Sequence, residues 1–134
     1  MTNKNLILKI DVEGAEWEVF SKTSGEIIEN FAQIVVEFHS VDDVYDENKF
    51  NAMLNVLEKL NTTHQIVHVH AVNYGTFVII GGVPLPNVFE VTYLRKKDNQ
   101  FVSSHKCYPI QGLDMPNNPN AADFFLGFYG MFTN

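Results

Sequence analysis

Residues 6–17, LILKIDVEGAEW, constrain the fold more than any other stretch of the chain. An apolar run of strand length reaches a carboxylate, turns at a glycine and passes at once into a helix-forming sequence. Leu6, Leu8 and Ile10 alternate with Ile7 and Lys9, Gly14 permits a sharp bend, and residues 15–20 read as helix. In open α/β sheets, ligands bind beyond the carboxyl ends of the strands, which is where Asp11 and Glu13 fall. Alone, Asp11 would serve equally well as a cap on the helix. A second carboxylate two residues on, and another acidic strand end downstream, point to a functional role.

The first helix is short, residues 15–22, with Ala15 and Val19 on one face and Trp17 and Phe20 beside it. Residues 21–25 break it, and residues 26–31 predict another helical turn. The clearest strand is residues 33–39, QIVVEFH, where Ile34, Val35 and Val36 imply burial on both faces, as in a central parallel strand. It ends on Glu37 and His39, which share a face because strand side chains alternate. An acidic loop over residues 40–46 carries Asp42, Asp43 and Asp46. Phe50, Met53, Leu54 and Leu57 then repeat at helical spacing until Asn61–Thr63 stops the pattern. The order strand, helix, strand, helix implies right-handed crossovers and parallel pairing.

Residues 65–71, QIVHVHA, predict the next strand, with Ile66, His68 and His70 facing one way and Val67 and Val69 the other. Asn73, Tyr74 and Gly75 form a turn, and residues 76–80 either extend that strand or form a short one of their own. Gly81, Gly82, Pro84 and Pro86 mark an irregular approach to a last strand, residues 88–95. No helix separates the last two strands, so they are expected to be antiparallel neighbours. Residues 98–120 read as loop, and residues 121–132, AADFFLGFYGMF, as an aromatic tail that packs on the body or on a partner.

Composition narrows the function classes. The chain has 134 residues, 46% of them hydrophobic, enough for one domain with a core. No apolar run approaches the roughly 20 residues of a membrane span, and the opening MTNKN is not followed by a secretory apolar core. A formal net charge of −7 argues against nucleic acid or an anionic membrane surface as partner. Cys107 is the single cysteine, which fits a reducing cytoplasm.

Polar groups gather at four strand ends: Asp11 and Glu13; Glu37 and His39; His68 and His70 with Asn73; and Glu90. Such a set could hold a divalent cation, or a substrate hydroxyl with a histidine as general base. Glu37 and His39 read as functional, because a buried strand seldom ends in two ionisable side chains without partners. His68 reads as a structural strand residue, and His64 and His105 as solvated loop residues. There is no G-x-S-x-G, C-x-x-C or Walker loop.

Taken together, DVEGAEWEV, VVEFH, HVHAVNYG and EVTYLRK resemble the carboxyl-terminal half of the FkbM-type methyltransferases, from about Leu6 to Lys97. The resemblance implies a partial Rossmann-like methyltransferase sheet with helices packed on it. Its fourth and fifth strands would be residues 6–12 and 33–39, and its antiparallel final pair residues 65–71 and 88–95. It implies S-adenosylmethionine as cofactor and a sugar or small-molecule hydroxyl as acceptor. By this resemblance Asp11, Glu37, His39 and His70 are the catalytic candidates, and Glu13, Asn73 and Glu90 the acceptor-binding ones. Related metal-dependent O-methyltransferases suggest Asp11, Glu37 and His39 as ligands for a divalent metal.

Two departures accompany the resemblance. The Gly-rich cofactor turn, expected before Leu6, is absent, and Gly81-Gly82 is followed by prolines. Val72 stands where the family pattern places Asn. Residues 1–97 therefore read as the carboxyl-terminal half of a methyltransferase-like domain and residues 98–134 as a tail packed on it. The bare edge of strand 6–12 predicts a homo-oligomer or a complementing chain. Two further readings stand beside the enzyme: a non-enzymatic interaction module that keeps the sheet, and a metal-binding domain of unrelated activity.

Overall fold

A computed structural model describes residues 5–128 and 132–133, the side chains of 128, 132 and 133 excepted. The first strand, β1 (Leu6–Ile10), runs into helices α1 (Glu16–Lys22) and α2 (Gly25–Ile28) and then into β2 (Phe31–Phe38). A 3-10 turn over Val41–Tyr45 leads to the long helix α3 (Glu47–Thr63), whose start Asp46 caps by accepting the amides of Asn48 and Lys49. Strand β3 (His64–Ala71) follows without a loop, then a hairpin of β4 (Phe77–Ile80) and β5 (Val83–Pro86), and then β6 (Phe89–Arg95).

These elements form a mixed four-stranded sheet in the order β1-β2-β6-β3. The β1–β2 pair is parallel, as the strand–helix–strand order requires. Strand β6 inserts between β2 and β3 and is antiparallel to both. The expected antiparallel final pair is therefore present, but β2 has one parallel and one antiparallel neighbour.

Alternation gives the sheet two unlike faces. Ile34, Val36, Phe38, Val69, Val91 and Tyr93 turn to one face and pack with Phe20, Ile28, Val56 and Leu60 from the helices. Trp17 stacks on Phe38 with ring centroids 4.3 Å apart. Burying such side chains contributes roughly 1.5–3 kcal/mol each, so this face holds the fold together. The other face carries Lys9, Val35, Glu37, Glu90, Thr92, His68 and His70, and strand register sets them in rows. The burial of β2 is thus deeper on one face than the other, where the sequence suggested both.

Several local expectations change. Strand β2 begins at Phe31, so the second helical turn ends earlier, at Ile28. Helix α3 runs through Asn61–Thr63 and stops only at His64. His64 is fully buried rather than solvated, its Nε2 2.9 Å from the Phe31 carbonyl and its Nδ1 2.8 Å from Thr63 Oγ1. Burial pushes its pKa down, partly offset by the Phe31 hydrogen bond. His105 is exposed, as expected. In β3 the register shifts between Ile66 and His68, so Val67 forms a bulge. Ile66 consequently joins the core with Val69 instead of sharing a face with His68 and His70.

Residues 77–80 form a strand of their own, and Pro84 and Pro86 lie within its partner β5, a two-stranded ribbon where a missing N–H costs little. Among the described residues from Asn99 onward, regular structure is limited to two-residue strands: β7 (Val102–Ser103), β8 (Cys107–Tyr108), β9 (Gly127–Phe128) and β10 (Phe132–Thr133). This segment lies across β3: Asp114 and Asp123 reach His68 and His70, each at 2.8 Å. Of the aromatic tail, Phe124 packs on Phe77 while Phe125 stays exposed. The tail's residues 129–131 lie outside the described residues, as do residues 1–4 of the opening. Among the described residues no helix is long and apolar enough to cross a membrane.

Candidate functional site

The site lies where β1 and β2 end side by side. Beyond Ile10 the chain passes Asp11 and enters a tight turn in which Glu13 (φ 53°) and Gly14 (φ 109°) have positive φ. Ser40, just after His39, is also left-handed, with φ 58°. A non-glycine residue in that region costs on the order of 1 kcal/mol, and here two of them flank the same cluster.

His39 is the centre of the cluster. Its Nδ1 lies 3.1 Å from the carboxylate of Glu16, which is wholly buried. Its Nε2 lies 3.2 Å from Glu37, 3.5 Å from Glu13 and 3.9 Å from Asp11. Its carbonyl accepts the Trp17 indole N–H at 2.7 Å, which fixes the strand end against α1.

Glu16 is the residue of this cluster that sequence reasoning missed. Its carboxylate accepts the amides of Val12 (2.8 Å) and Gly14 (3.1 Å) as well as facing His39. Burial opposes its charge, but the amides of Val12, Glu16 and Gly14, with His39, outweigh it and hold the carboxyl below its ordinary range. Glu37 behaves oppositely: burial first, then the charge of Asp11, push its carboxyl up. An ionised Glu16 accepts a hydrogen bond from His39 Nδ1–H, which turns Nε2 toward the three carboxyl groups of Glu37, Glu13 and Asp11. One acid held ionised and one held protonated to higher pH, on either side of an imidazole, is an arrangement suited to proton transfer.

The structure brings Asp11, Glu13, Glu37 and His39 together. Glu90 stands opposite Glu37 in register and accepts from Lys9 Nζ at 2.9 Å. His70 stands opposite Glu90 in the next strand, so Glu37, Glu90 and His70 form one row across the sheet, with His70 paired to Asp123. Asn73 is set apart. Its amide donates to the carbonyls of Asn118, Ala121 and Ala122 and accepts the Asn118 N–H at 2.7 Å, clasping the carboxyl-terminal segment.

The metal set differs from the expected one. The donors that close to within 4.8 Å of one another are Asp11, Glu13 and His39, with Glu13 in the place given to Glu37. Their donor chemistry suits a divalent cation, and Glu16 would orient the histidine from behind.

No curated protein and no solved structure matches the chain. Residues 4–63 match the family model described as the Methyltransferase FkbM domain. The match takes in DVEGAEWEV and VVEFH, the two motifs that build the site, and ends before HVHAVNYG and EVTYLRK. Over residues 4–63, then, the chain is similar to the FkbM methyltransferase domain, the family its motifs resemble.

Proposed function

We propose that this chain forms the acceptor side of an S-adenosylmethionine-dependent O-methyltransferase acting on a sugar or small-molecule hydroxyl. The observation that supports it most is the placement of His39 between buried, ionised Glu16 and raised Glu37 within the family-matched segment. His39 Nε2 takes the acceptor's hydroxyl proton as the oxygen becomes nucleophilic, and Glu16 stabilises the resulting imidazolium through Nδ1–H. Asp11, Glu13 and Glu90 line the approach and accept hydrogen bonds from neighbouring hydroxyls. S-adenosylmethionine, when bound, supplies the methyl group.

The strand order β1-β2-β6-β3 with an antiparallel inner strand supports the methyltransferase-sheet reading, in which residues 1–97 are its carboxyl-terminal half and residues 98–134 a tail. No Gly-rich turn suited to the cofactor occurs in the sequence, and no residue here is assigned to hold it. Strand β1 lies at the sheet edge with Ile7 69% exposed, an edge suited to a second copy or a complementing chain. The single cysteine fits a cytoplasmic setting.

Calorimetric titration of S-adenosylmethionine into the folded chain tests the proposal. Saturable binding, with product formation from a panel of sugars that falls about 100-fold or more in His39→Gln, is the expected result. No binding to a demonstrably folded chain, alone or mixed with a complementing chain, overturns the enzyme in favour of an interaction module.

A second reading, a divalent cation held by Asp11, Glu13 and His39, is favoured by their mutual spacing within 4.8 Å. The ion would acidify a bound hydroxyl, with Glu16 keeping Nδ1 protonated. Manganese titration that saturates in the parent and fails in Glu13→Gln supports it; no saturation in the parent removes it.

A further inference from the structure

The β4–β5 ribbon ends in an apolar tip that projects from the body. Residues 71–89 contain no acidic, basic or histidine side chain, in a chain where 19% of residues are charged. Within that stretch the ribbon closes on Gly81 and Gly82, both at positive φ (55° and 82°), as a two-residue hairpin loop requires. Among the described residues, nothing but the chain neighbours comes within 4 Å of where a Cβ would stand on either glycine. Ile79 and Val83 are 62% and 55% exposed there, beside Ile80 and Pro84, while Val78 and Pro86 at the base are buried.

A two-stranded ribbon has two open edges, and open edges recruit further strands. Here both are blunted. The loop makes Ile80 and Val83 a hydrogen-bonded pair, so Val78–Leu85 is bonded too, whereas Ile79–Pro84 and Phe77–Pro86 are not. The residues of β5 whose amides would point outward are therefore prolines, which carry no N–H. On β4, the outward amide of Ile79 donates to Tyr45 Oη at 3.2 Å, and the same hydroxyl donates to the Ile79 carbonyl at 3.3 Å. Tyr45 thus takes the place of an incoming strand. Its ring, 71% exposed, adds apolar surface beside the tip. A groove of about 310 Å³, lined by Val44, Tyr45, Phe50, Ile79, Ile80 and Gly81, continues that surface.

Whatever meets this surface must offer apolar contact, ask for no strand pairing and bring no countercharge. Asp42 and Asp46 are exposed at the start of α3, and Asp43 is paired with Lys49 at 3.0 Å, so an anionic surface would be repelled. A second copy would need roughly 800 Å² from each partner, more than four side chains around a hairpin tip present. A neutral lipid surface meets all three conditions.

We propose that the β4–β5 tip inserts into the interfacial region of a bilayer with neutral headgroups. Ile79, Ile80, Val83 and Pro84 enter it, with the Tyr45 ring at its level. The contact is independent of methyl transfer.

The test sediments the full chain with sucrose-loaded phosphatidylcholine vesicles. The pelleted fraction should saturate at about millimolar lipid, a weaker association than a myristoyl chain gives, and added phosphatidylserine should not strengthen it. Val83→Asp should lower binding at least about tenfold. Leu113→Asp, at an exposed apolar position elsewhere, should leave it unchanged. Ile79→Trp supplies a second readout: its emission should shift to the blue on vesicles and be quenched by brominated lipid. The native Trp17 is already stacked on Phe38, so the change reports the tip. No pelleting, binding that survives Val83→Asp, an equal loss in Leu113→Asp, or an Ile79→Trp emission indifferent to vesicles overturns the proposal. So does a concentration-dependent dimer that Val83→Asp dissolves in place of vesicle binding, which would give the tip to a second copy.

Discussion

Glu16 and His39, on a helix and a strand end 23 residues apart, meet at 3.1 Å with the carboxylate wholly buried. The same carboxylate accepts two amides of the turn that separates β1 from α1. One group therefore organises the turn and sets the tautomer of the histidine, which ties the stability of the site to its chemistry.

Replacing Glu16 should expose that link. Its folded carboxyl lies below the ordinary value, so it contributes stability above the unfolded pKa, and that contribution is lost as pH falls through the folded one. Glu16→Gln should cost about 1–3 kcal/mol at pH 7, by loss of charge-assisted hydrogen bonds, and should flatten the acid limb of the stability curve. Urea unfolding from pH 3 to pH 8 measures both; an unchanged acid limb would sink the assignment.

Glu37 should show the opposite sign. Its folded pKa is raised by burial and by Asp11, so the folded state keeps the proton longer and stability declines as pH rises from the ordinary glutamate range through the raised value. Glu37→Gln removes that decline. The variant should match the parent near pH 4 and exceed it near pH 8 in the same unfolding series.

Lys59 supports the site from the far end of α1. Its ammonium on α3 donates to the carbonyls of Phe20, Ser21 and Thr23 at 2.9, 2.8 and 3.1 Å, closing the helix that presents Glu16. Lys59→Met keeps the stem and removes the donors. It should cost about 1–2 kcal/mol, and hydrogen exchange should quicken over residues 16–23 before it does elsewhere. Uniform exchange along the chain would show that Lys59 does not hold this helix end.

What was legible in the sequence followed from periodicity and local chemistry. Leu8 and Ile10, the run Ile34–Val36, and the spacing of Phe50, Met53 and Leu57 located β1, β2 and α3, and the glycine turn located Asp11 and Glu13. What was hidden depended on contacts distant in sequence. Glu16 reads as an ordinary first-turn acid, because only the fold brings His39 to it. Val67 carries no mark of a bulge, yet it reassigns Ile66 to the core. His64 looked solvated beside Asn61–Thr63, but its backbone N–H donates to the Leu60 carbonyl and its ring meets the Phe31 carbonyl, which hold it inside. The partners of His68 and His70 lie 46 and 53 residues downstream, in a stretch with too little regularity to predict.

Asn73 provides the sharpest test of that downstream stretch. A single buried amide makes four hydrogen bonds to residues 118–122 and joins the end of β3 to the segment that lies across it. Asn73→Ala removes the partner of the Asn118 amide and of the Ala121 and Ala122 carbonyls, while the Asn118 carbonyl keeps the Ala121 amide, and should cost about 2 kcal/mol. Because β3 stays in register through its pairing with β6, the loss should be local. Limited proteolysis should cut within residues 111–122 in the variant and spare the parent, with the helices protected in both. Cleavage that begins in the helices instead would mean that Asn73 supports the whole sheet rather than the attachment of this segment.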